Sequence, residues 1–330
     1  MENKDALIEL GVKDRRILLE LDFSARMPVS QLARKVGLSQ QSVDYRIKKM
    51  VDEGVIERFY PVINTAKLGY LLCRLFVSFY NVTEKIENEI VSYLKKEDMV
   101  NWLGKVEGRY DIALSLWIRN LPDFLFFISR FLTKYGKYVK ERKEGVGIIV
   151  YLLKRNYLLP KFRSESIRIA AQSMHKADLD GMDKKILAAL CENARLPAAD
   201  IAKKIRAAPH TVAYRIKKLE KENIILGYRP NISIQKLGYT DYKIHLYLAG
   251  AAEKEIEKLV SYLEMHPNVT FILIGIGAAD VDFELMAKTE KEFIRFMKTL
   301  KIAFPKIIRN YEFMILEEMA KVGFMPPSDL

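Results

Sequence analysis

The sequence is poor in cysteine and histidine, and this scarcity excludes several classes of protein. Its 330 residues include only two cysteines, Cys73 and Cys191, and four histidines. Two cysteines so far apart form neither a disulfide framework nor the paired spacing of a zinc site. We therefore expect no metal, and we expect both cysteines to be small buried hydrophobic residues.

Long hydrophobic runs are also missing. The longest apolar stretches, such as 147–153, have the length of a β-strand rather than that of a membrane span. The chain does not begin with the basic start and apolar core of a signal peptide. These features predict a soluble, cytoplasmic protein with no membrane partner.

A marked excess of positive charge accompanies these absences. Lys and Arg number 54 against 42 Asp and Glu, which gives a formal net charge of +12. Such a balance favours an anionic partner, with nucleic acid ahead of an acidic membrane surface, although it also serves solubility. Half of the residues are hydrophobic, which is ample for buried cores.

The sequence repeats itself without a gap at an offset of 169 residues. Residues 14–70 superimpose on residues 183–239, and the pentapeptide Tyr-Arg-Ile-Lys-Lys occurs at both 45–49 and 214–218. A period of this length corresponds to a whole module rather than to a solenoid unit. The chain is therefore predicted to be one protein duplicated and fused.

The first part of each copy has the pattern of three helices followed by a wing. In the first copy, apolar residues recur at helical spacing through 14–21, 31–36 and 40–52, and Gly37-Leu38-Ser39 forms a tight turn before the last helix. Segment 55–62 alternates as a strand pair or wing would. This is the plan of a winged helix-turn-helix, whose last helix enters the major groove of DNA.

The exposed face of that last helix carries the candidate DNA-binding residues. Gln and Arg side chains bond base edges, whereas Lys and Tyr more often contact phosphates. A solvated helix surface is the alternative for any single residue, but the same pattern in both copies favours binding. The two copies differ where the helix starts, which predicts different half-sites or the loss of one head's role. The candidates are Ser39, Gln40, Gln41, Asp44, Tyr45, Arg46, Lys48, Lys49, His210, Thr211, Tyr214, Arg215, Lys217 and Lys218.

The second part of each copy predicts a ferredoxin-like β-α-β-β-α-β unit. Its sheet would carry both helices on one face, and the fused duplicate supplies a second sheet to cover the other face. The fold class is therefore α+β, with two tandem copies of a winged helix-turn-helix domain and a ferredoxin-like domain. The predicted segments are 1–66 for the first winged domain, 67–154 for the first ferredoxin-like domain, 155–181 for a linker with a helix at 164–176, 182–235 for the second winged domain and 236–330 for the second ferredoxin-like domain.

These motifs resemble those of the Lrp/AsnC (feast/famine) family of transcription regulators. The resemblance rests on stretches such as Ala25-Arg26, Gly37-Leu38-Ser39 and Gly54-Val55-Ile56, and it covers nearly the whole chain twice. It implies binding of double-stranded DNA, with the chain acting as a covalent pseudo-dimer and two chains forming a homodimer. The second head departs from the family, with Arg206-Ala207-Ala208 at the turn and Asn223 in place of Gly54.

The resemblance also implies a small effector, often an amino acid, held between sensing domains. The family's Gly-x-x-Asp turn matches Gly108 and Asp111 in the first copy and Gly277 and Asp280 in the second. Glycine would let backbone N–H groups approach a carboxylate, and aspartate would bond an ammonium group. The alternative is an ordinary hairpin turn that needs these residues for its backbone angles.

Two other functions remain open. Certain decarboxylases of modified tetrapyrroles resemble this family, and such chemistry needs His or Arg in a pocket. His245 alone among the four histidines lies on a predicted strand, where a lone histidine is usually structural. A regulator that works through protein partners is the other alternative, which the basic helix faces disfavour. The sequence therefore favours a regulator with neither enzymatic activity nor a cofactor.

Overall fold

The computed structural model describes residues 7–160, 165–171, 177–250 and 252–327. These residues group into two compact units. The head unit holds the described residues of Met1–Asn64, Lys154–Glu165 and Ala177–Thr240, and the barrel unit holds those of Thr65–Leu153, Ser166–Lys176 and Asp241–Leu330. The division of the sequence into five domain segments stays a prediction.

Helices and strands follow the same order in both halves of the chain. The first half contains α1 (Val12–Leu21), α2 (Val29–Val36), α3 (Gln40–Asp52), β1 (Ile56–Ile63), β2 (Leu71–Phe79), α4 (Glu84–Lys96), β3 (Val100–Gly108), β4 (Ile112–Ile118), α5 (Leu121–Tyr135), β5 (Val139–Leu153) and β6 (Ser166–Ala170). The second half contains α6 (Gly181–Glu192), α7 (Ala198–Ile205), α8 (Pro209–Lys221), β7 (Ile225–Ile232), β8 (Thr240–Leu248), α9 (Glu253–Met265), β9 (Val269–Ile276), β10 (Val281–Ala287), α10 (Glu290–Ala303) and β11 (Ile308–Val322).

Each head is a three-helix cluster built on short apolar stripes. Helix α3 buries Val43, Ile47 and Met50, which recur at helical spacing on one face. Gly37 ends α2 in the left-handed conformation, with φ 65°, and thereby turns the chain into α3. The helix-turn-helix predicted from the sequence is confirmed in both halves.

Strands β1 and β7 pair with each other and join the two heads. Of the strand pair or wing predicted for residues 55–62, the strand pair is wrong, because the single strand β1 takes its partner from the other copy. Tyr60 lies opposite Arg229, and these two positions are equivalent in the repeat. The neighbouring pairs are Phe59 with Pro230 and Pro61 with Tyr228, so the pairing is symmetric about Tyr60 and Arg229.

Arginine side chains reinforce this junction reciprocally. Arg26 donates to the carbonyl oxygens of Ala194 and, at 2.9 Å, Leu196, while Arg195 donates to the carbonyl oxygen of Ala25 at 2.6 Å. Arg26 and Arg195 are equivalent residues of the two copies. Each head therefore binds the corner between the first two helices of the other head.

A buried carboxylate ties three segments of the head unit together. Asp22, at the end of α1, accepts hydrogen bonds from Arg155 Nη1 at 2.8 Å and from Arg229 Nε at 2.6 Å. Burial alone would raise the pKa of the Asp22 carboxyl, but attraction to Arg229 and Arg155 outweighs it and holds this pKa below the ordinary value. The carboxylate is therefore charged, and it stabilises two cations that burial would otherwise penalise.

In the barrel unit, the strands of both ferredoxin-like modules form one closed barrel. The order around it is β2-β4-β3-β11-β8-β10-β9-β5, and β5 closes the ring by pairing with β2. Each module contributes four consecutive strands, β5-β2-β4-β3 and β11-β8-β10-β9, which is the ferredoxin-like order. The predicted α+β fold of two tandem winged and ferredoxin-like modules is thereby confirmed.

Two long strands, β5 and β11, join the modules, and each belongs to both sheets. Strand β5 pairs with β2 through 139–147 and with β9 through 146–152. Strand β11 pairs with β8 through 308–315 and with β3 through 314–322. The helices pack on the outer face of each sheet, as in the cluster of Leu75, Leu114 and Phe127, and the opposite face turns to the inside of the barrel.

The helix predicted at 164–176 is wrong for residues 166–170, which form strand β6. Ile167 and Ile169 alternate with Ser166, Arg168 and Ala170, a period of two that suits an edge strand. This strand pairs with β5. Residues 161–164 and 172–176 lie outside the described residues.

We predict that Asp22→Asn destabilises the head unit by about 3–5 kcal/mol, because it leaves two arginines without their buried counter-charge. Hydrogen–deuterium exchange of the β1 and β7 amides checks this, and faster exchange is expected. Asp52→Asn, at the exposed end of α3, is the matched control and should leave the exchange unchanged. Equal exchange in both variants would contradict a stabilising role for Asp22.

Candidate nucleic-acid interface

Helices α3 and α8 each bury one face and expose the opposite one. Tyr45 and Tyr214, which occupy equivalent positions, are 68% and 66% exposed. Two large aromatic rings on the surface, flanked by lysines, suit contact with a polyanionic partner. The candidates that the structure exposes are Ser39, Gln40, Gln41, Asp44, Tyr45, Lys48 and Lys49 on the first head and His210, Tyr214, Lys217 and Lys218 on the second, with Thr211 half-buried.

The two recognition helices begin differently. Ser39 caps α3, because its hydroxyl oxygen accepts a hydrogen bond from the Ser42 N–H at 3.2 Å. Ala208 occupies the same place before α8 and provides no side-chain cap, while Pro209 takes the first position of the helix. The change removes two polar side chains from the end of the helix that approaches base edges.

Arg46 and Arg215, predicted from the sequence to contact DNA, are held by carboxylates within their own heads. Arg46 Nη1 lies 2.8 Å from Asp14 Oδ1, and Arg215 Nη1 lies 3.1 Å from Asp183 Oδ1. Arg215 also pairs with Asp180 at 2.5 Å. Each arginine thus ties the recognition helix to the first helix of its head. Base contact by these two residues stays a prediction.

The lysines of the recognition helices remain exposed. Lys49 Nζ lies 3.8 Å from Glu53 and Lys218 Nζ lies 3.9 Å from Glu222, both at helical i,i+4 spacing. Exposed pairs of this kind contribute only about 0.3–0.5 kcal/mol to stability. They therefore leave the ammonium groups available to phosphates.

The second head keeps the helix-turn-helix geometry despite losing its glycines. Arg206 has φ 56° where Gly37 has φ 65°, and Asn223 has φ 53° where Gly54 has φ 69°. A residue with a Cβ occupies this left-handed region at a cost of about 1–2 kcal/mol. The backbone of the second turn therefore matches the first, and the strain is greater at Arg206 than at Asn223, because asparagine tolerates the left-handed region better than arginine does.

The Gly-x-x-Asp motifs have a structural part in the hairpins of the barrel unit. Gly108 and Gly277 have φ 129° and 99°, a region that favours glycine. The Asp111 carboxylate accepts a hydrogen bond from the Phe79 N–H, and Asp280 accepts one from the Leu248 N–H at 2.6 Å. Binding of an amino-acid effector at Gly108, Asp111, Gly277 and Asp280 stays a prediction.

The inside of the barrel holds a charged cluster that the sequence analysis missed. Arg74 Nη1 lies 3.0 Å from Asp282 Oδ2, a contact between the two modules. Lys243 Nζ lies 3.4 Å from Asp241 and also pairs with Glu284. The signal that could have revealed the cluster is the alternation of polar and apolar residues along β8, since period two places every second side chain on the inner face.

His245 lies within this cluster. It is 1% exposed, and neither ring nitrogen has a hydrogen-bond partner among the described residues. Its ring lies 4.5 Å from Phe76, the equivalent residue of the first copy, and Nε2 lies 4.0 Å from Asp282 Oδ2. Burial, followed by the charge of Arg74, lowers the pKa of His245 to about 3, so the imidazole is neutral at pH 7.

Comparisons with known proteins agree with this architecture. A family model described as winged helix-turn-helix DNA-binding matches residues 12–57 and 179–225. Transcriptional regulator LrpA of Pyrococcus horikoshii is 33% identical over 144 residues, which are 43% of this chain and 97% of that protein. Regulatory protein AsnC of Haemophilus influenzae is 30% identical over 138 residues, which are 42% of this chain and 91% of that protein.

A solved structure shares the tandem fold. The crystal structure of the siroheme decarboxylase NirDL matches with a TM-score of 0.64 at 14% identity, covering 96% of this chain and 94% of that one. Within the described residues, no helix is long and apolar enough to cross a membrane, and no group of three or more His, Cys, Asp or Glu side chains is placed to hold a metal ion.

A winged helix-turn-helix head followed by a ferredoxin-like module is the architecture that the sequence analysis expects of an Lrp/AsnC regulator, and this chain has it twice. The curated relatives align over almost their whole length with less than half of this chain, as one copy of a duplicated module would. The chain belongs to the Lrp/AsnC family of transcription regulators, with the family's module present twice in tandem.

We predict that His245→Phe, which restores the residue of the first copy, changes the pH dependence of stability. The unfolded histidine takes up a proton below its ordinary pKa of about 6.5, whereas the folded one does not until about pH 3. The wild type therefore loses stability as pH falls through this window, by up to about 1.4 kcal/mol per pH unit, and the variant lacks that loss.

Denaturant unfolding of both proteins at pH 7.5 and pH 5 measures this difference. Burial raises the pKa values of the Asp241 and Asp282 carboxyls, which acts in the opposite sense, but both carboxyls are present in both proteins. The control is His210→Phe, which changes an exposed histidine. Its unfolding free energy should depend on pH as that of the wild type does. If His245→Phe and the wild type differ in stability by the same amount at both pH values, the pKa of His245 is not lowered in the folded protein.

Proposed function

We propose that this chain is a sequence-specific DNA-binding transcription regulator whose two copies act as a covalent pseudo-dimer. The observation that carries the proposal is the pairing of β1 with β7 about a local twofold axis at Tyr60 and Arg229. This pairing makes one unit of two heads, each with an exposed, lysine-rich recognition helix. Regulators with this motif bind two half-sites whose spacing mirrors the symmetry of the protein.

The rigidity of the junction supports binding at a fixed spacing. The ladder between β1 and β7 extends over both strands, and the reciprocal contacts of Arg26 and Arg195 add hydrogen bonds on either side of it. Two heads joined in this way cannot adjust independently to half-sites of variable separation. We therefore expect binding to weaken when the spacing between the half-sites is changed while both half-site sequences are kept.

Enzymatic chemistry is not part of the proposal. The fold shared with a siroheme decarboxylase shows a common scaffold, at 14% identity. His245 is buried and its imidazole is neutral at pH 7, which argues against its use as a catalytic acid. The homologous relatives are named as regulators, and this supports a regulator without catalytic activity.

We further propose that two tandem chains associate through the first ferredoxin-like module. Helix α5 exposes Leu121, Leu125 and Phe126, which are 54%, 64% and 65% exposed and form an apolar surface. The equivalent positions in α10 are Glu290, Ile294 and Arg295, so the second module keeps only one of the three apolar side chains. A patch on one module only favours a closed twofold contact between two chains.

We predict that the double variant Lys48→Ala, Lys49→Ala weakens binding to every duplex and lowers the slope of log affinity against log salt by about 1–2, because each lysine that contacts a phosphate releases about one counterion. Lys217→Ala with Lys218→Ala should act alike. Fluorescence anisotropy on duplexes selected from a random-sequence library, at several salt concentrations, measures both effects.

A control for net charge is available in the barrel unit. Lys95→Ala with Lys96→Ala removes the same charge from exposed positions of α4 and should leave the slope within error. An equal effect of all three double variants would show that only overall charge matters. Wild-type binding that is no tighter to selected than to random duplexes would sink the proposed regulator function.

We predict that Leu125→Glu with Phe126→Glu converts a dimer of tandem chains into a single chain, because the apolar surface of α5 would then repel its copy. Light scattering coupled to size exclusion gives the mass directly. Ile294→Glu with Arg295→Glu, at the equivalent positions of α10, should leave the mass unchanged. A wild type with the mass of one chain at micromolar concentration would overturn the proposed association.

A further inference from the structure

We infer that the two heads divide their work on DNA: the first head reads bases in one half-site, and the second head grips the phosphate backbone beside it. The chain would therefore recognise an asymmetric DNA site rather than a palindrome. The inference rests on the proposed DNA-binding function and adds which residues determine specificity.

The start of the recognition helix carries more hydrogen-bonding side chains in the first head than in the second. Gln40 and Gln41 are exposed at the start of α3, where an amide bonds adenine in a bidentate manner. Asp44, one turn further along, suits the amino group of cytosine. The equivalent residues of α8 are Pro209, His210 and Ala213, and of these only His210 has a side chain that can hydrogen-bond a base.

Positive charge, in contrast, is greater on the recognition helix of the second head. Helix α3 contains three basic and two acidic residues, whereas α8 contains four basic residues and one acidic residue. Two of the replacements lie at exposed positions of α3, where Asp44 becomes Ala213 and Asp52 becomes Lys221. Each replacement removes a carboxylate that would repel phosphate. The second head is thus the stronger electrostatic partner for a backbone.

Arg206 provides an independent observation. It is exposed at the turn before α8 and holds φ 56°, where the first head has Gly37. A bulky residue in this strained conformation points to a function that outweighs the strain. A guanidinium at the turn of a helix-turn-helix is placed to contact the backbone beside the major groove. At the other position where the second head lacks a glycine, Gly54 is replaced by the uncharged Asn223.

These observations indicate that the second head contacts mainly the phosphate backbone, which is the same in every DNA sequence. Backbone contacts strengthen binding equally on all duplexes and increase its dependence on salt, whereas base contacts create preference. The two heads are consequently separable by experiment, because affinity for random DNA and preference for a selected site respond to different residues.

The experiment uses the full chain and a duplex selected by it from a random library. Arg206→Gly should weaken binding to selected and random duplexes alike, by about three- to tenfold, and lower the salt slope by about one. Its thermal midpoint should stay level or rise, because strain is relieved, so misfolding cannot explain the loss. Asn223→Gly relieves strain at the matching position without removing a charge, and it should leave affinity and slope unchanged.

Preference is tested at equivalent positions of the two recognition helices. Gln41→Ala should reduce the preference for selected over random duplex by about tenfold or more, while His210→Ala should change it less than threefold. Scrambling one half of the selected site should abolish preference, and scrambling the other half should leave most of it.

The outcomes separate this inference from the function on which it rests. Equal losses from Gln41→Ala and His210→Ala, or a selected site that is a palindrome with both halves required, would overturn the division between heads and leave the regulator intact. A loss of preference on Arg206→Gly would also overturn it. A wild type without preference for any duplex would overturn the proposed function, and the division with it.

Discussion

The architecture depends on one constraint: strands that would end the sheets of one copy pair with strands of the other copy. A single strand such as β1 leaves a row of backbone N–H and C=O groups that need partners. The equivalent strand β7 supplies them, about an axis at Tyr60 and Arg229. In the barrel unit, β3 and β9 end the two ferredoxin-like sheets, and β11 and β5 cover them. Half of the chain would leave these edges open, so the duplication completes the fold within one molecule.

Fusion keeps the backbone symmetric but frees the side chains to differ. In a homodimer any substitution occurs twice, so a new buried charge needs a partner at both symmetry-related sites. In this chain Asp22 faces Arg229 and Arg155, while the residue equivalent to Asp22 is Cys191. A buried charge can therefore be introduced on one side with its partner from elsewhere, which no symmetric dimer allows. The same freedom permits one recognition helix to differ from the other without loss of the junction.

Local patterns in the sequence predict individual helices and strands, but they do not predict which distant segments pair. The stripe of Val43, Ile47 and Met50 predicts α3, because helical period and burial act within a few residues. The closure of the barrel and the contact of Arg74 with Asp282 join residues that are far apart in the chain, and no local period encodes such a partner. The repeat was enough to predict the exposed DNA-binding candidates on α3 and α8. The ion pair of Arg46 with Asp14 could not be predicted, because it depends on how α1 packs against α3. Strand β6 was mistaken for a helix because five residues carry too little pattern to decide.

The charged cluster inside the barrel is better explained by specificity than by stability. Three of the charged or polar positions can be apolar, since Leu72, Phe76 and Ala113 of the first module stand where the second module has Asp241, His245 and Asp282. Replacing buried ion pairs by apolar residues is often neutral or stabilising, so the cluster is not needed to hold the sheet together. The Arg74–Asp282 pair, however, connects β2 of one module to β10 of the other. A register slip of β5 or β11 would leave both charges buried without a partner, and the cluster therefore penalises every closure of the barrel except the observed one.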